Sequence, residues 1–364
     1  MNKVFSIGVS LLFFCHFQAN SQKMMDKKVT FMPMPIVMSN PTFGPSFGAM
    51  GAVMYKINSS DKVSPMSKTS FMGMYGLNKS YSWWLSQDLY FKQDLFRVNV
   101  NIGSFKIPVK YMYMDNQSLE YVEKDYFIRL KLLKKIRPYL YAGVYFNYTP
   151  QTFTEIINDT EDPNLQIENS TQSSIGLMAT YDTRDYIYYP RKGNYSNLYL
   201  LTSQSFIGAT DNFYSINYNA MKYISIKARD VIALRFNGSN YFGDVPYGAL
   251  ALYGVSSVDL SQVDLRGYMR GKYRGKNQID LQAEYRYNFD QKHFRWGLVA
   301  NAGIGRIWEA DYQTTLYDSN KWLPSVGAGI RYNAIKKKHL NIRLDYGYGI
   351  KENHAVYLGL FEAF

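Results

Sequence analysis

The sequence predicts an all-β protein, a closed transmembrane antiparallel β-barrel of about 16 strands, and three observations predict it. Apolar and polar side chains alternate with period two in runs of roughly 10–14 residues, from Ser46 to the last residue, with no convincing helical period between them. No apolar stretch of about 18 residues follows the N-terminus, which excludes helical spans but not strands, where only alternate side chains face lipid. Aromatic residues make up 17% of the 364 positions, with 34 Tyr, and many sit at strand ends. A soluble β-sandwich would use strands nearer five or six residues around one buried core.

Residues 1–21 read as a secretory signal: Lys3 supplies the charge, Val4 to Phe14 the apolar region, and Ala19-Asn20-Ser21 the small residues for cleavage. The only cysteine, Cys15, falls inside it, so the remainder has no thiol for a disulfide, metal site or nucleophile. Residues 22–43, with Pro33, Pro35 and Pro41, read as a short lead-in, too short for a folded domain. The barrel is expected over 44–364, its first strand at 44–57 before the loop Asn58-Ser59-Ser60-Asp61. Strands at 66–77 and 80–92 meet at a turn around Asn78-Lys79. Further strands are expected at 94–104, 107–115, 120–134, 137–149, 171–182, 193–206, 211–227 and 229–241. The turn between 182 and 193 is bounded by Pro190 and Gly193, and Asp182-Thr183-Arg184-Asp185 can hydrogen-bond its own backbone. The last five strands are expected at 275–288, 292–304, 322–333, 338–349 and 354–364. Short connections, including 78–79, are assigned to the periplasmic side and long ones, such as 242–274, to the outer side.

The cleanest alternation lies at 276–287. Gln278, Asp280, Gln282, Glu284 and Arg286 share one face; Ile279, Leu281, Ala283, Tyr285 and Tyr287 share the other. The long loop before it is dense in Gly, Arg and Asp around Leu265-Arg266-Gly267-Tyr268. The net charge of +12 is spread mostly singly along strands and turns, which does not form the basic patch of a nucleic-acid binder.

Four pieces resemble the BamA/TamA-like bacterial surface-antigen family of outer-membrane barrels. Leu265-Arg266-Gly267-Tyr268 looks like the tip of the family's sixth extracellular loop, and Gln282-Ala283-Glu284-Tyr285-Arg286 like its twelfth-strand motif. Asp182-Thr183-Arg184-Asp185 is similar to a recurrent periplasmic turn, and Gly359-Leu360-Phe361-Glu362-Ala363-Phe364 to the end-of-barrel assembly signal. The resemblance implies a 16-stranded barrel whose sixth loop folds back into the lumen, with Arg266 meeting Glu284. At the thirteenth strand the family often has an Asp; Asn301 stands here, an uncharged acceptor, with Asp280 as a further candidate partner. It also implies a weakly paired seam between the first and last strands, to which Gly44, Gly48 and Gly51 are suited because Gly weakens a strand, although they equally suit curvature or close packing in a small barrel. With only residues 22–43 ahead of the barrel, the chain reads as a barrel-only member without POTRA domains.

No Gly-x-Ser-x-Gly elbow or His-Glu-x-x-His stands in the sequence, and His293, His339 and His354 are not expected to converge, so no enzyme activity and no cofactor is expected. Asp259 and Asp264 match no dedicated cation spacing. Two functions follow. One is assistance of protein insertion or translocation at the outer membrane, with lipid and client proteins as partners of a monomeric barrel. The other is a passive channel or structural barrel.

Overall fold

A computed structural model of the chain describes residues 29–39, 42–112, 118–159, 167–186, 189–226, 230–255, 263–289, 295–309, 322–335, 340–350, 353–360 and 362–364. The expected signal at 1–21, together with Phe361, Asp259, His293 and His339, lies outside the described residues. One antiparallel sheet of 16 strands runs in chain order. Its strands are β1 (Val29–Met38), β2 (Ser46–Tyr55), β3 (Ser67–Gly76), β4 (Tyr81–Phe91), β5 (Phe96–Met112) and β6 (Ser118–Arg137). Next come β7 (Leu140–Asn158), β8 (Ser170–Asp182), β9 (Gly193–Ser203), β10 (Phe213–Ser225) and β11 (Val231–Gly243). The last five are β12 (Asn277–Tyr287), β13 (Trp296–Trp308), β14 (Leu323–Ile335), β15 (Leu340–Gly349) and β16 (His354–Leu360).

The strand total matches the sequence expectation through two opposite errors. A strand, β1, lies within the stretch expected as a lead-in at 22–43, and the segment expected as the first strand is the second. Conversely, Phe96–Met112 is one strand where two, 94–104 and 107–115, were expected. Because a meander alternates direction, the extra strand at the start changes the side of the first connections. The turn at Asn78-Lys79 lies at the same end of the barrel as the long connection 244–276 (the loop end). The connection 56–66 lies at the other, which also holds both ends of the sheet (the turn end). Gly48 and Gly51 are therefore one strand away from the seam, and Gly44 is in the connection before β2.

Burial follows the alternation with its usual sign reversed. On β12 the charged side is buried and the apolar side open: Glu284 is 1% exposed and Leu281 53%. Such a surface is favourable only where the outside is hydrocarbon, and closure of the sheet is what pairs the backbone polar groups there. At the turn end Asp61 ties two connections together. Its carboxylate accepts hydrogen bonds from the backbone N–H of Ser64 (2.9 Å), Val63 (3.0 Å) and, across the turn 92–95, Gln93 (2.9 Å). These bonds, with the Ser64 hydroxyl first among them, hold the Asp61 carboxyl well below the usual carboxylate range.

Candidate functional site

Two features stand out: a buried charge network around the tip of the 244–276 segment, and the seam between β1 and β16. The segment is braced by two short ladders, Ala251–Leu252 with Arg274–Gly275, and Gly254–Val255 with Val263–Asp264. Its tip carries backbone strain, since Leu265 has φ 55°, in the left-handed region a branched side chain avoids, and Gly267 has φ 96°. Such a conformation persists where surrounding contacts over-determine it.

Those contacts come from several strands. The Tyr357 hydroxyl of β16 accepts from the Gly267 N–H (2.9 Å), and the Tyr268 hydroxyl donates to the Pro324 carbonyl of β14 (2.7 Å). The Tyr253 hydroxyl donates to the carbonyl of Ile279 on β12 (2.6 Å). On the far strands, Arg270 pairs with Glu123 of β6 (3.1 Å), and the Tyr111 hydroxyl of β5 donates to the Arg270 carbonyl (2.6 Å). Leu265, Tyr253, Tyr268 and Tyr273 join Tyr111, Tyr121, Phe153 and Tyr247 in one buried cluster.

Close approach is possible because inward positions of β13 and β15 are glycines. A Cβ on Gly305 would meet the Tyr253 hydroxyl at 2.4 Å and Leu265 at 3.1 Å. A Cβ on Gly347 would meet the Gly267 nitrogen at 2.7 Å, and one on Gly349 the Tyr268 ring at 2.6 Å. Sequence reading missed this seat, although glycines recurring every second residue on a polar face were its signal.

At the tip, Arg266, 1% exposed, donates to Glu284. Glu284 also accepts from Arg286 (2.7 Å) and lies 4.0 Å from Arg331. Arg331 continues to Asp345 (2.6 Å) and to Glu362 (2.8 Å), and Asp345 to Arg343 (3.5 Å). The tail thus enters the network. Glu362 accepts from Asn341 (2.5 Å), and Phe364 packs with Met221, Tyr223, Val231 and Ala233 while its ring lies 5.6 Å from the Arg266 guanidinium. Of the residues expected together, Arg266 and Glu284 meet, and Phe364, expected only as part of the terminal signal, lies beside Arg266. Asn301 stands directly across from Glu284 in the β12–β13 register, but its amide nitrogen finds no hydrogen-bond partner among the described residues. Asp280 instead accepts from Asn237 (3.1 Å) and Gln282 (2.8 Å), and Asp264 pairs with Arg235. Gly359 lies on β16 opposite Arg343. In the turn, Arg184 pairs with Asp182 (2.9 Å) and lies over the Tyr195 ring, while Asp185 accepts from the Arg191 N–H (2.9 Å). Arg286 reaches this turn through the Pro190 carbonyl (3.3 Å).

The seam is the weak line of the sheet. Every other neighbouring pair of strands shares a ladder; β15 and β16 are in register from Ile342 opposite Leu360 to Tyr348 opposite His354. Among the described residues, β1 and β16 share one bridge, Ser39 opposite Leu358, with the Leu358 N–H donating to the Ser39 carbonyl (3.2 Å). Inside, Ile36 of β1 and Ala355 and Tyr357 of β16 belong to one apolar cluster with Phe43, Met72 and Phe105. Side-chain packing therefore joins the backbone bridge in closing the seam.

Comparison with known proteins places this geometry. The model of the Omp85 superfamily domain matches residues 67–357. Among solved structures, the chain is similar to BamA from Haemophilus ducreyi lacking POTRA domains 1–3, at 14% identity and a TM-score of 0.62, over 91% of this chain and 69% of that one. It is similar to CdiB from Acinetobacter baumannii, at 10% identity and a TM-score of 0.57, over 92% of this chain and 60% of that one. It is also similar to CdiB from Escherichia coli, at 12% identity and a TM-score of 0.58, over 93% and 63%. The chain thus spans less than two thirds of either CdiB. No curated protein matches. With the family domain covering most of its length and the 16-stranded sheet that goes with it, the chain belongs to the Omp85 superfamily and is an outer-membrane β-barrel.

Proposed function

We propose that this barrel assists the insertion or translocation of proteins at the outer membrane, through the seam between β1 and β16. The observation that supports this reading best is that, among the described residues, one backbone bridge, Ser39 with Leu358, joins the two strands. A net hydrogen bond is worth about 1 kcal/mol, so parting these edges costs far less backbone pairing than parting any other two strands. A parted edge offers unpaired N–H and C=O groups to an incoming strand. On this reading the partners are lipid around the apolar belt and client proteins at the seam, and the barrel works as a monomer. The test is folding of a model outer-membrane barrel into liposomes that carry the refolded protein. Acceleration over empty liposomes is expected; none would sink the proposal, and a large steady conductance in its place would identify a passive channel.

We further propose that the described parts of the 244–276 segment, 244–255 and 263–276, occupy the lumen and that the Arg266 pair with Glu284 is their clamp. Contacts of one segment with β5, β6, β12, β14 and β16 support this, as does the burial of both charges. Arg266→Ala removes a charge-assisted bond worth roughly 1.5–3 kcal/mol. The expected result is larger current fluctuations in planar bilayers and lower heat resistance of the folded band on gels. A variant indistinguishable from the parent would make Arg266 an ordinary loop cation.

A further inference from the structure

The free edge of β1 has a chemical peculiarity at Pro33 and Pro35. In an antiparallel ladder the N–H and C=O of one residue point to one neighbour strand, and those of the next residue to the other. Ser39 directs its carbonyl to Leu358 across the seam. Odd-numbered residues of β1 therefore face the seam, and even-numbered ones face β2. Pro33 and Pro35 are both odd, and both keep their place in the β1–β2 register, opposite Gly51 and Ala49. A proline lacks an N–H and is tolerated in a strand when that side faces no partner. Extending the Ser39 register would set Pro35 opposite Glu362 and Pro33 opposite Phe364. Those residues have turned away, Glu362 to Arg331 and Asn341, and Phe364 to the Arg286 guanidinium (2.5 Å). Among the described residues the backbone pairing ends at Ser39 and Leu358, and beyond Val37 the first strand offers the seam no N–H at 35 or 33.

We propose that Pro33 and Pro35 blunt the edge of β1 over its turn-end half, confining strand addition to the loop end at 37–39. The occupant is an extended antiparallel strand with alternating apolar and polar residues, the only kind of chain whose backbone this edge already contacts. The blunted half resists zipping by the protein's own tail, by a client strand and by a second copy. The inference rests on the proposed function only for the partner's identity; it is tested without any folding client, so a failed folding assay leaves it standing.

The test uses the refolded full chain in liposomes and a synthetic peptide of residues 354–364, with binding and backbone amide exchange measured together. In the parent, the peptide should protect the Val37 and Ser39 amides. The double variant Pro33→Val, Pro35→Val regains two donors and should bind the peptide roughly tenfold tighter, with new protection at 33 and 35. Each single variant should gain about threefold, which covers the case in which the double variant folds poorly. Val37→Pro removes a remaining seam-facing donor but no bond to β2, and should weaken binding severalfold while the heat-resistant band stays intact. Equal peptide affinity in the parent and proline-free variants would overturn the proposal.

Discussion

Replacing Glu284 with Ala should destabilise the folded barrel by about 3–5 kcal/mol, the cost of leaving buried charge without its partner. Glu284 is 1% exposed and serves Arg266, Arg286 and, at 4.0 Å, Arg331. The network balances the guanidinium groups of Arg266, Arg286, Arg331 and Arg343 against the carboxylates of Glu284, Glu362 and Asp345. Without Glu284, the cations of β12 and β14 keep Glu362 and Asp345, but Arg266 loses its only ion-pair partner among the described residues. The loss should appear as a lower temperature for conversion of the compact band to the unfolded one, and as a lower urea midpoint. Glu284→Gln keeps the volume and one acceptor without the charge, so it should lie between parent and Ala variant. A Glu284→Ala barrel as heat-resistant as the parent would show that the network is solvated and contributes little.

The architecture was legible because strand alternation is local: each run of polar and apolar residues declares its two faces without reference to the rest of the chain. Two places resisted for physical reasons. In β1 the prolines that blunt the seam also remove the sequence signature of a strand, so Val29–Met38 passed for a lead-in. In β5, Phe105 and Lys106 stand where a short connection was expected, yet the strand continues through both. The pairing of Arg266 with Glu284 was legible as a motif on a polar face. Its neighbours were not, because Arg331, Asp345 and Glu362 approach Glu284 only when β12, β14, β15 and the tail are brought side by side. Nothing in their spacing records that closure. The silent Asn301 follows from the same geometry, since an amide beside Glu284 cannot compete with guanidinium groups for its oxygens.

Gly347→Val should dislodge the tip of the 244–276 segment while leaving the barrel folded. A Cβ at 347 would lie 2.7 Å from the Gly267 nitrogen and 3.0 Å from the Arg266 carbonyl carbon, so one of two backbones must move. The β15 backbone is held by ladders on both sides, to β14 and β16, and a β-branched residue suits a strand. The tip is held by side-chain bonds, to Tyr357 (2.9 Å) and through Tyr268 to Pro324 (2.7 Å), and Leu265 already sits at φ 55°. The tip therefore yields first. Overpacking costs about 1–3 kcal/mol, comparable to one or two of the hydrogen bonds that retain it. Once the tip moves, Arg266 withdraws from Glu284 and the chain after Arg266, Arg270 and Lys272 becomes open to trypsin. Cleavage within this segment, together with raised conductance and a still heat-resistant band, is the expected outcome. Gly73→Val is the matched control, because a Cβ there meets nothing within 4 Å. If Gly347→Val resists trypsin as the Gly73 variant does, the strand has given way instead, and the glycine seat is not what positions the tip.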